Sequence, residues 1–204
     1  HPDHQAAARA AGLLCESLGH RVDEVACPFA GSVTEDVLRC WGFLAWVERS
    51  AGKVLMHRGF DASKLDPWSL GLARYFTSQR LEAIRAIRRL RRVTRDHETV
   101  MTRYDVLVCP TLATPPPLLG HIAPEVPFAT AFSRLRDYAP FTPPFNAAGA
   151  PAISLPLATS AEGLPIGVHF SAAHGNERTL LELALAIETA QPWPHVASAT
   201  DAGA

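Results

Sequence analysis

The amino-acid sequence predicts an α/β fold, as a single domain or a fragment of one over residues 1–204. Hydrophobic residues make up 48% of the chain and charged residues 19%, which are the proportions of a globular protein with a packed core. Stretches with a helical spacing of apolar residues are followed by short alternating or β-branched runs. Helices that precede strands in this way are typical of an α/β layer.

The first element is predicted to be a helix over HQAAARAAGLLCESLG, with Asp3 as its N-cap and Gly19 as its stop. The alternating run RVDEVACP then predicts a short strand that ends at Pro28.

Two longer helices follow. Residues 33–57 are predicted to be helical, and their aromatic content indicates a core position. Residues 58–71 are predicted to form a loop or short turn. A long helix is then predicted from Thr77 or Ser78 to Tyr104, with arginines on one side and apolar residues on the other.

The second half is predicted to contain three strands. DVLVCPT is a β-branched run that Pro110 stops, and AISLPL and LPIGVHFSA form a pair joined by the turn ATSAEG. The proline-rich LATPPPLLGHIAPEVP must be extended or turning, and residues 126–138 are predicted to hold a short helix. Asn176 is predicted to cap a last helix over ERTLLELALAIETA, and residues 191–204 to form a flexible tail.

The stretch FTPPFNAAGAPAISLPL, residues 141–157, contains four prolines that restrict the backbone. Asn146 and Gly149 favour turns, so the stretch is predicted to be a rigid entry into the AISLPL strand.

Charge and cysteine usage exclude several classes of protein. The net charge of −1 offers no general attraction to nucleic acid or to an anionic membrane. No apolar run approaches the roughly 20 residues that span a bilayer, and no signal peptide is visible. The four cysteines lack paired spacing, which favours free thiols and a cytoplasmic location. The chain opens on His1 without a methionine, from which we expect a cut or processed end.

No residue pattern predicts a self-sufficient active site. The arginine-rich RLEAIRAIRRLRRVTR favours a solvated helix face over phosphate binding, because no aromatic base-stacking platform accompanies it. The nine histidines lack metal-ligand spacing, so no metal and no cofactor is expected. There is no GxSxG elbow and no phosphate-binding glycine loop. Cys109, which precedes a proline, favours packing over nucleophilic chemistry.

Four segments form an ordered series: YDVLVCPT with its proline-rich continuation, FNAAGAPAISLP, GLPIGVHF and NERTLLELA. In this order they resemble the C-terminal third of the amidase-signature enzymes, which are serine hydrolases that include glutamine amidotransferase A subunits and fatty-acid amide hydrolases. The opening helix and LGHRV are similar to that family as well, and residues 29–100 match it least. The resemblance implies the C-terminal part of a three-layer α/β/α fold whose mixed β-sheet is incomplete in this chain.

In that family a Ser–cis-Ser–Lys triad hydrolyses an amide. One serine attacks the carbonyl, the second relays the proton, the lysine acts as base, and a glycine/serine-rich loop holds the oxyanion. The resemblance places all of these upstream of the matched part. The chain has no GGSSGGS-like segment, and its only lysines, Lys53 and Lys64, lie outside such a context. No catalytic residue is therefore assigned to this chain.

The resemblance implies a role in substrate binding instead. Thr111 and Leu112, which end and follow DVLVCPT, are expected to line the substrate pocket, together with Phe145. Asn146 is expected to hold the irregular backbone before PAISLP and to contact substrate. The alternative is that Asn146 and Gly149 are ordinary turn residues that need no ligand.

Two hypotheses of function follow. In the first, the chain is the C-terminal region of an amidase that hydrolyses the carboxamide C–N bond of a small molecule, and it is inactive alone. In the second, it is a non-catalytic binding or interaction module. Such a module would dimerise or pair with a complementary N-terminal amidase chain, because open strand edges need cover.

Overall fold

The computed structural model describes residues 1–29 and 31–193, which fold into α-helices around one three-stranded sheet. Among these residues the elements in chain order are α1 (Pro2–Ser17), α2 (Val33–Leu55), a 3₁₀ turn (Ala62–Lys64), α3 (Pro67–Ser78), α4 (Arg80–Met101), β1 (Val106–Pro110), α5 (Phe128–Tyr138), α6 (Pro143–Ala148), β2 (Ala152–Thr159), β3 (Pro165–Ala172) and α7 (Glu177–Ala190). The predicted α/β class and its three strands are confirmed. Residues 194–204 of the predicted tail lie outside the described residues.

The sheet has the strand order β1-β3-β2, and both pairs are antiparallel. Strands β2 and β3 form the predicted hairpin. Its turn is held by Ser160, whose hydroxyl accepts from the backbone N–H groups of Glu162 and Leu164, and Gly163 supplies a left-handed φ of 82°. Within the described part of the chain the sheet contains no parallel pair.

One face of the sheet, which we call the apolar face, carries the largest buried cluster. Val168 and Phe170 of β3 are fully buried there, because a strand places alternate side chains on one side. Helices α1 and α7 cover this face with small and aliphatic residues. The buried members of the cluster are Ala7, Ala11, Cys15, Leu155, Leu157, Ile166, Val168, Phe170, Ala172, Leu180, Ala184 and Ile187.

The opposite face, which we call the polar face, carries Cys109, His169 and Ser154 in one row across β1, β3 and β2. Helices α4 and α6 cover part of this face, and Phe145 of α6 lies against the ring of His169.

An ion cluster around the buried Asp36 joins α2 to α4. The side chain of Asp36 is fully buried and accepts two hydrogen bonds from Arg89 at 2.6 Å and one from Arg39 at 3.0 Å. Arg89 also donates to Glu82 at 2.8 Å. The Asp36–Arg89 pair is bidentate, which is the strongest common geometry for these groups.

Several sequence predictions differ from the structure. Helix α1 begins at Pro2 with His1 as its N-cap, so the N-cap predicted at Asp3 is wrong. Residues 21–27 form no strand, because they are exposed throughout and no described strand pairs with them, so that prediction is wrong. The part of residues 58–71 that begins at Pro67 is already helical in α3, because Asp66 caps it through the Ser69 N–H and proline suits the first turn. The predicted long helix accordingly begins later, at Arg80.

A further difference is the stretch before β2. Pro143–Ala148 forms a short helix, α6, and not a series of turns. The proline at its start suits the first helical turn. Gly149 ends the helix with φ at 70°, so the turn that was predicted at this glycine is confirmed.

Candidate functional site

The exposed part of the polar face is the candidate functional site. It lies where β1 ends beside the start of β3 and the middle of β2. Thr111, directly after β1, donates its backbone N–H to the carbonyl of Gly167 at 3.2 Å and so extends the ladder. Ser154 of β2 is exposed on the same face.

The hydroxyls of Thr111 and Ser154 meet across β3. Their oxygens lie 2.7 Å apart, so one of them donates to the other. The contact depends on Gly167, because a Cβ at that position would lie 2.7 Å from Ser154 Oγ and 2.9 Å from Thr111 Oγ1. The pair is partly open to solvent and can exchange its internal hydrogen bond for one to a polar ligand.

Cys109 and His169 form a second pair on this face, with Cys109 Sγ 3.7 Å from His169 Nδ1. Burial raises the pKa of the Cys109 thiol to about 12, to which the nearby Cys27 adds, and burial lowers the pKa of His169. A nucleophilic cysteine needs a lowered pKa and a protonated partner. Here a neutral thiol lies beside a neutral imidazole, and this geometry supports the packing role expected of Cys109.

Ser171 and His97 form a third pair, with Ser171 Oγ 3.5 Å from His97 Nε2. Both side chains are buried, and Ser171 donates to the carbonyl of Pro151 at 3.0 Å. Burial lowers the pKa of His97. A buried serine whose hydrogen is already used in this way cannot reach a substrate, so the pair is structural.

The four residues expected to bind substrate do not converge on one cavity. Thr111 lies at the edge of the polar face, and Leu112 follows it half-buried. Phe145 is buried, with its ring centroid 4.6 Å from that of His169. Asn146 is exposed and lines a cleft of about 410 Å³ between α2, α4 and α6, to which Thr111, Leu112 and Phe145 do not contribute.

The sequence reasoning missed Ser154 and Gly167 as neighbours of Thr111. The signal was present in the alternation of AISLPL and PIGVHF, which places Ser154 and Gly167 on the faces opposite to Leu155 and Val168. The register that brings both beside Thr111 depends on the order of the strands, which the alternation does not contain.

Over residues 1–29 and 31–193, no three His, Cys, Asp or Glu side chains are grouped as metal ligands would be. In the same residues, each helix is too short or too polar to cross a bilayer.

A family model and a curated relative both match this chain as an amidase. The model of the amidase family matches residues 1–181. The putative amidase AmiC of Mycobacterium tuberculosis (strain ATCC 25618 / H37Rv) is 45% identical over 188 residues, which are 91% of this chain and 39% of AmiC.

Solved structures share the fold. A 6-aminohexanoate cyclic dimer hydrolase complexed with substrate superposes with a TM-score of 0.79 at 28% identity, covering 94% of this chain and 42% of that enzyme. The A subunit of the glutamyl-tRNA(Gln) amidotransferase of Thermotoga maritima superposes with a TM-score of 0.65 at 24% identity, covering 96% of this chain and 40% of that protein.

The chain thus spans about two fifths of the length of the relatives it matches. The series of segments from β1 to α7 that resembled the amidase-signature enzymes lies almost entirely within the matched residues 1–181. This chain belongs to the amidase family.

Proposed function

We propose that this chain is the C-terminal region of an amidase that hydrolyses the carboxamide C–N bond of a small molecule. It supplies sheet core and one wall of the substrate pocket, and the nucleophile and the base lie outside its 204 residues. Thr111 and Leu112 are proposed to form this wall together with the hydroxyl of Ser154, and Phe145 supports it from behind through the ring of His169. Asn146 is proposed to contact substrate only from the separate cleft between α2, α4 and α6.

The observation that carries the proposal is the polar face itself. Of its pairs with nucleophilic atoms, Ser171–His97 is buried and Cys109–His169 is partly buried and neutral. The accessible pair, Thr111–Ser154, makes no hydrogen bond to a base in the described part of the chain, although His169 is the cross-strand neighbour of Ser154. A hydroxyl without a base is a weak nucleophile but a good donor and acceptor for an amide. The face is therefore suited to binding and orienting an amide, while the chemistry comes from elsewhere.

Two assays test this proposal. The purified chain, incubated with simple aryl amides and esters, is expected to give no turnover. A chimera in which this chain replaces the matched part of AmiC is expected to hydrolyse an amide that AmiC accepts, and serine-directed reagents should abolish that activity. Serine-type turnover by the chain alone would refute the proposal, and so would a folded chimera without activity.

A second candidate function, a non-catalytic interaction module, is favoured by the edge at β2. Within the described residues β2 pairs with β3 alone, and its polar-face side chains Ala152, Ser154 and Pro156 are all exposed. An uncovered edge of this kind is a template for another chain. The partner would be a second copy or a complementary N-terminal amidase chain, and light scattering of the purified chain distinguishes a dimer from a monomer.

The expected cytoplasmic location stays a prediction.

A further inference from the structure

We propose that the cavity between α2, α3, α5 and residues 122–127 binds the ring of a small, neutral aromatic amide. The inference deepens the proposed function by naming a class of substrate. It rests on that function only in calling the bound ligand a substrate. The binding itself requires no catalysis by this chain.

The cavity has a volume of about 500 Å³, which lies within the range of sites for small molecules. Its shape depends on Gly71, because any Cβ there would collide with the ring of Phe128. Phe128 therefore lies directly against the α3 backbone, and its ring and the α5 helix behind it form one wall of the cavity.

Aromatic side chains line part of the cavity. The ring centroids of Trp41 and Trp68 are 5.9 Å apart with the planes at 66°, and those of Trp68 and Phe128 are 5.2 Å apart. Trp41 is 43% exposed, so a large apolar surface in this cavity still faces solvent. A flat ring that covers Trp41 and contacts Trp68 edge to face would bury that surface in a favourable aromatic geometry.

The charges that line the cavity select the polar part of the ligand. Arg74 and Glu125 are both exposed lining residues, and no ion pair involves either of them within residues 1–29 and 31–193. A guanidinium donates and a carboxylate accepts. An amide satisfies both, because its carbonyl accepts from Arg74 and its N–H donates to Glu125. A carboxylate ligand would gain at Arg74 and be repelled by Glu125.

The fold connects this cavity with the end of β1. Leu135 of α5 lines the cavity, and one turn later the carbonyl of Tyr138 accepts from the Ala113 N–H at 2.9 Å. Ala113 directly follows Thr111 and Leu112. The helix that forms a wall of the cavity is thus anchored to the segment proposed to contact the substrate, so an aromatic group in the cavity would belong to a ligand near that segment.

The test is a titration of the purified chain with phenylacetamide and with phenylacetate, followed by tryptophan fluorescence and calorimetry. Phenylacetamide is expected to bind more tightly than phenylacetate. Arg74→Gln and Glu125→Gln should each weaken phenylacetamide binding about fivefold. For phenylacetate the two variants should act in opposite directions, since Arg74→Gln removes an attraction and Glu125→Gln removes a repulsion.

Trp41→Ala should weaken phenylacetamide binding about tenfold, and Trp41→Phe, which keeps an aromatic ring, should weaken it less. The matched controls are Arg49→Gln and Glu16→Gln, which remove exposed charges outside the cavity and should leave binding unchanged. Circular dichroism confirms that each variant is folded.

The proposal is overturned if phenylacetamide does not bind, if phenylacetate binds more tightly, or if the variants at Trp41, Arg74 and Glu125 bind like the two controls. These outcomes leave the amide hydrolysis of the AmiC chimera untouched. Conversely, an inactive chimera with intact phenylacetamide binding would remove the proposed function and keep the cavity as a binding site.

Discussion

At the scale of single residues, the polar face depends on the absence of a side chain at Gly167. We predict that Gly167→Ala destabilises the fold by about 1–3 kcal/mol, because the added methyl would lie 2.7 Å from Ser154 Oγ and 2.9 Å from Thr111 Oγ1. Urea unfolding measures the loss, and Gly31→Ala, whose methyl would meet nothing within 4 Å, is the control.

The same collision predicts a coupling between residues. Ser154→Ala should recover part of the loss in the Gly167→Ala background, because it removes one of the two clashing oxygens. Strictly additive changes in the free energy of unfolding would show that the Thr111–Ser154 contact does not set the space at Gly167.

The charge of Asp36 links α2 to α4 through Arg89. We predict that Asp36→Asn costs about 1.5–3 kcal/mol, because it weakens the charged hydrogen bonds from Arg89 and Arg39 to a buried acceptor. The exposed Asp137→Asn is the matched control, and its effect should stay within about 0.5 kcal/mol. Equal stability of the two variants would contradict the structural role of Asp36.

The acid dependence follows from the same contacts. Burial alone would raise the pKa of Asp36, but hydrogen bonds and charges from Arg89 and Arg39 outweigh it and lower the pKa below its ordinary value. The resulting stabilisation is complete above the unfolded-state pKa of about 3.9 and is lost as the pH falls through the lower folded-state pKa. Asp36→Asn should therefore flatten the acid limb of stability measured by urea unfolding.

At the scale of elements, the sequence predicted the helices and strands that are determined by the residues within them. The hairpin of β2 and β3 was predicted because alternating runs flank a glycine-containing turn, and α7 because its apolar spacing is regular. The start of α3 was missed although Asp66 and Pro67 carry a standard capping signal. The run at residues 21–27 alternates like a strand, but a strand also needs a neighbour to pair with, and alternation does not reveal one.

Helix α6 gives the prediction that belongs to this scale. Gly149 ends the helix in the left-handed region with φ at 70°, so Gly149→Ala should cost about 1 kcal/mol. Gly149→Asn should cost less, because asparagine tolerates this conformation. Chemical denaturation compares the two variants, and an alanine variant as stable as the wild type would mean that α6 does not need a left-handed residue at its end.

At the scale of the whole molecule, the candidate site was only partly predictable. Thr111 was placed beside the site by the resemblance to the amidase-signature enzymes, whereas its contact with Ser154 requires β3 to lie between β1 and β2. The aromatic cavity was not predicted either, since Trp41, Trp68 and Phe128 come from three helices that only tertiary packing brings together. Local patterns determine elements, and long-range pairing determines sites.

The open edge at β2 gives the last prediction. The purified chain is expected to associate, with a light-scattering mass that rises above 22.0 kDa as its concentration increases. Ala152→Lys places a charge on the exposed face of the edge strand and should weaken self-association at least about tenfold, because desolvating that charge opposes strand pairing. Ala161→Lys adds the same charge in the exposed hairpin turn and should not change association. A chain that stays monomeric at every concentration would show that this edge is not an interface between copies, and association with Ala152→Lys unchanged would place the interface elsewhere on the molecule.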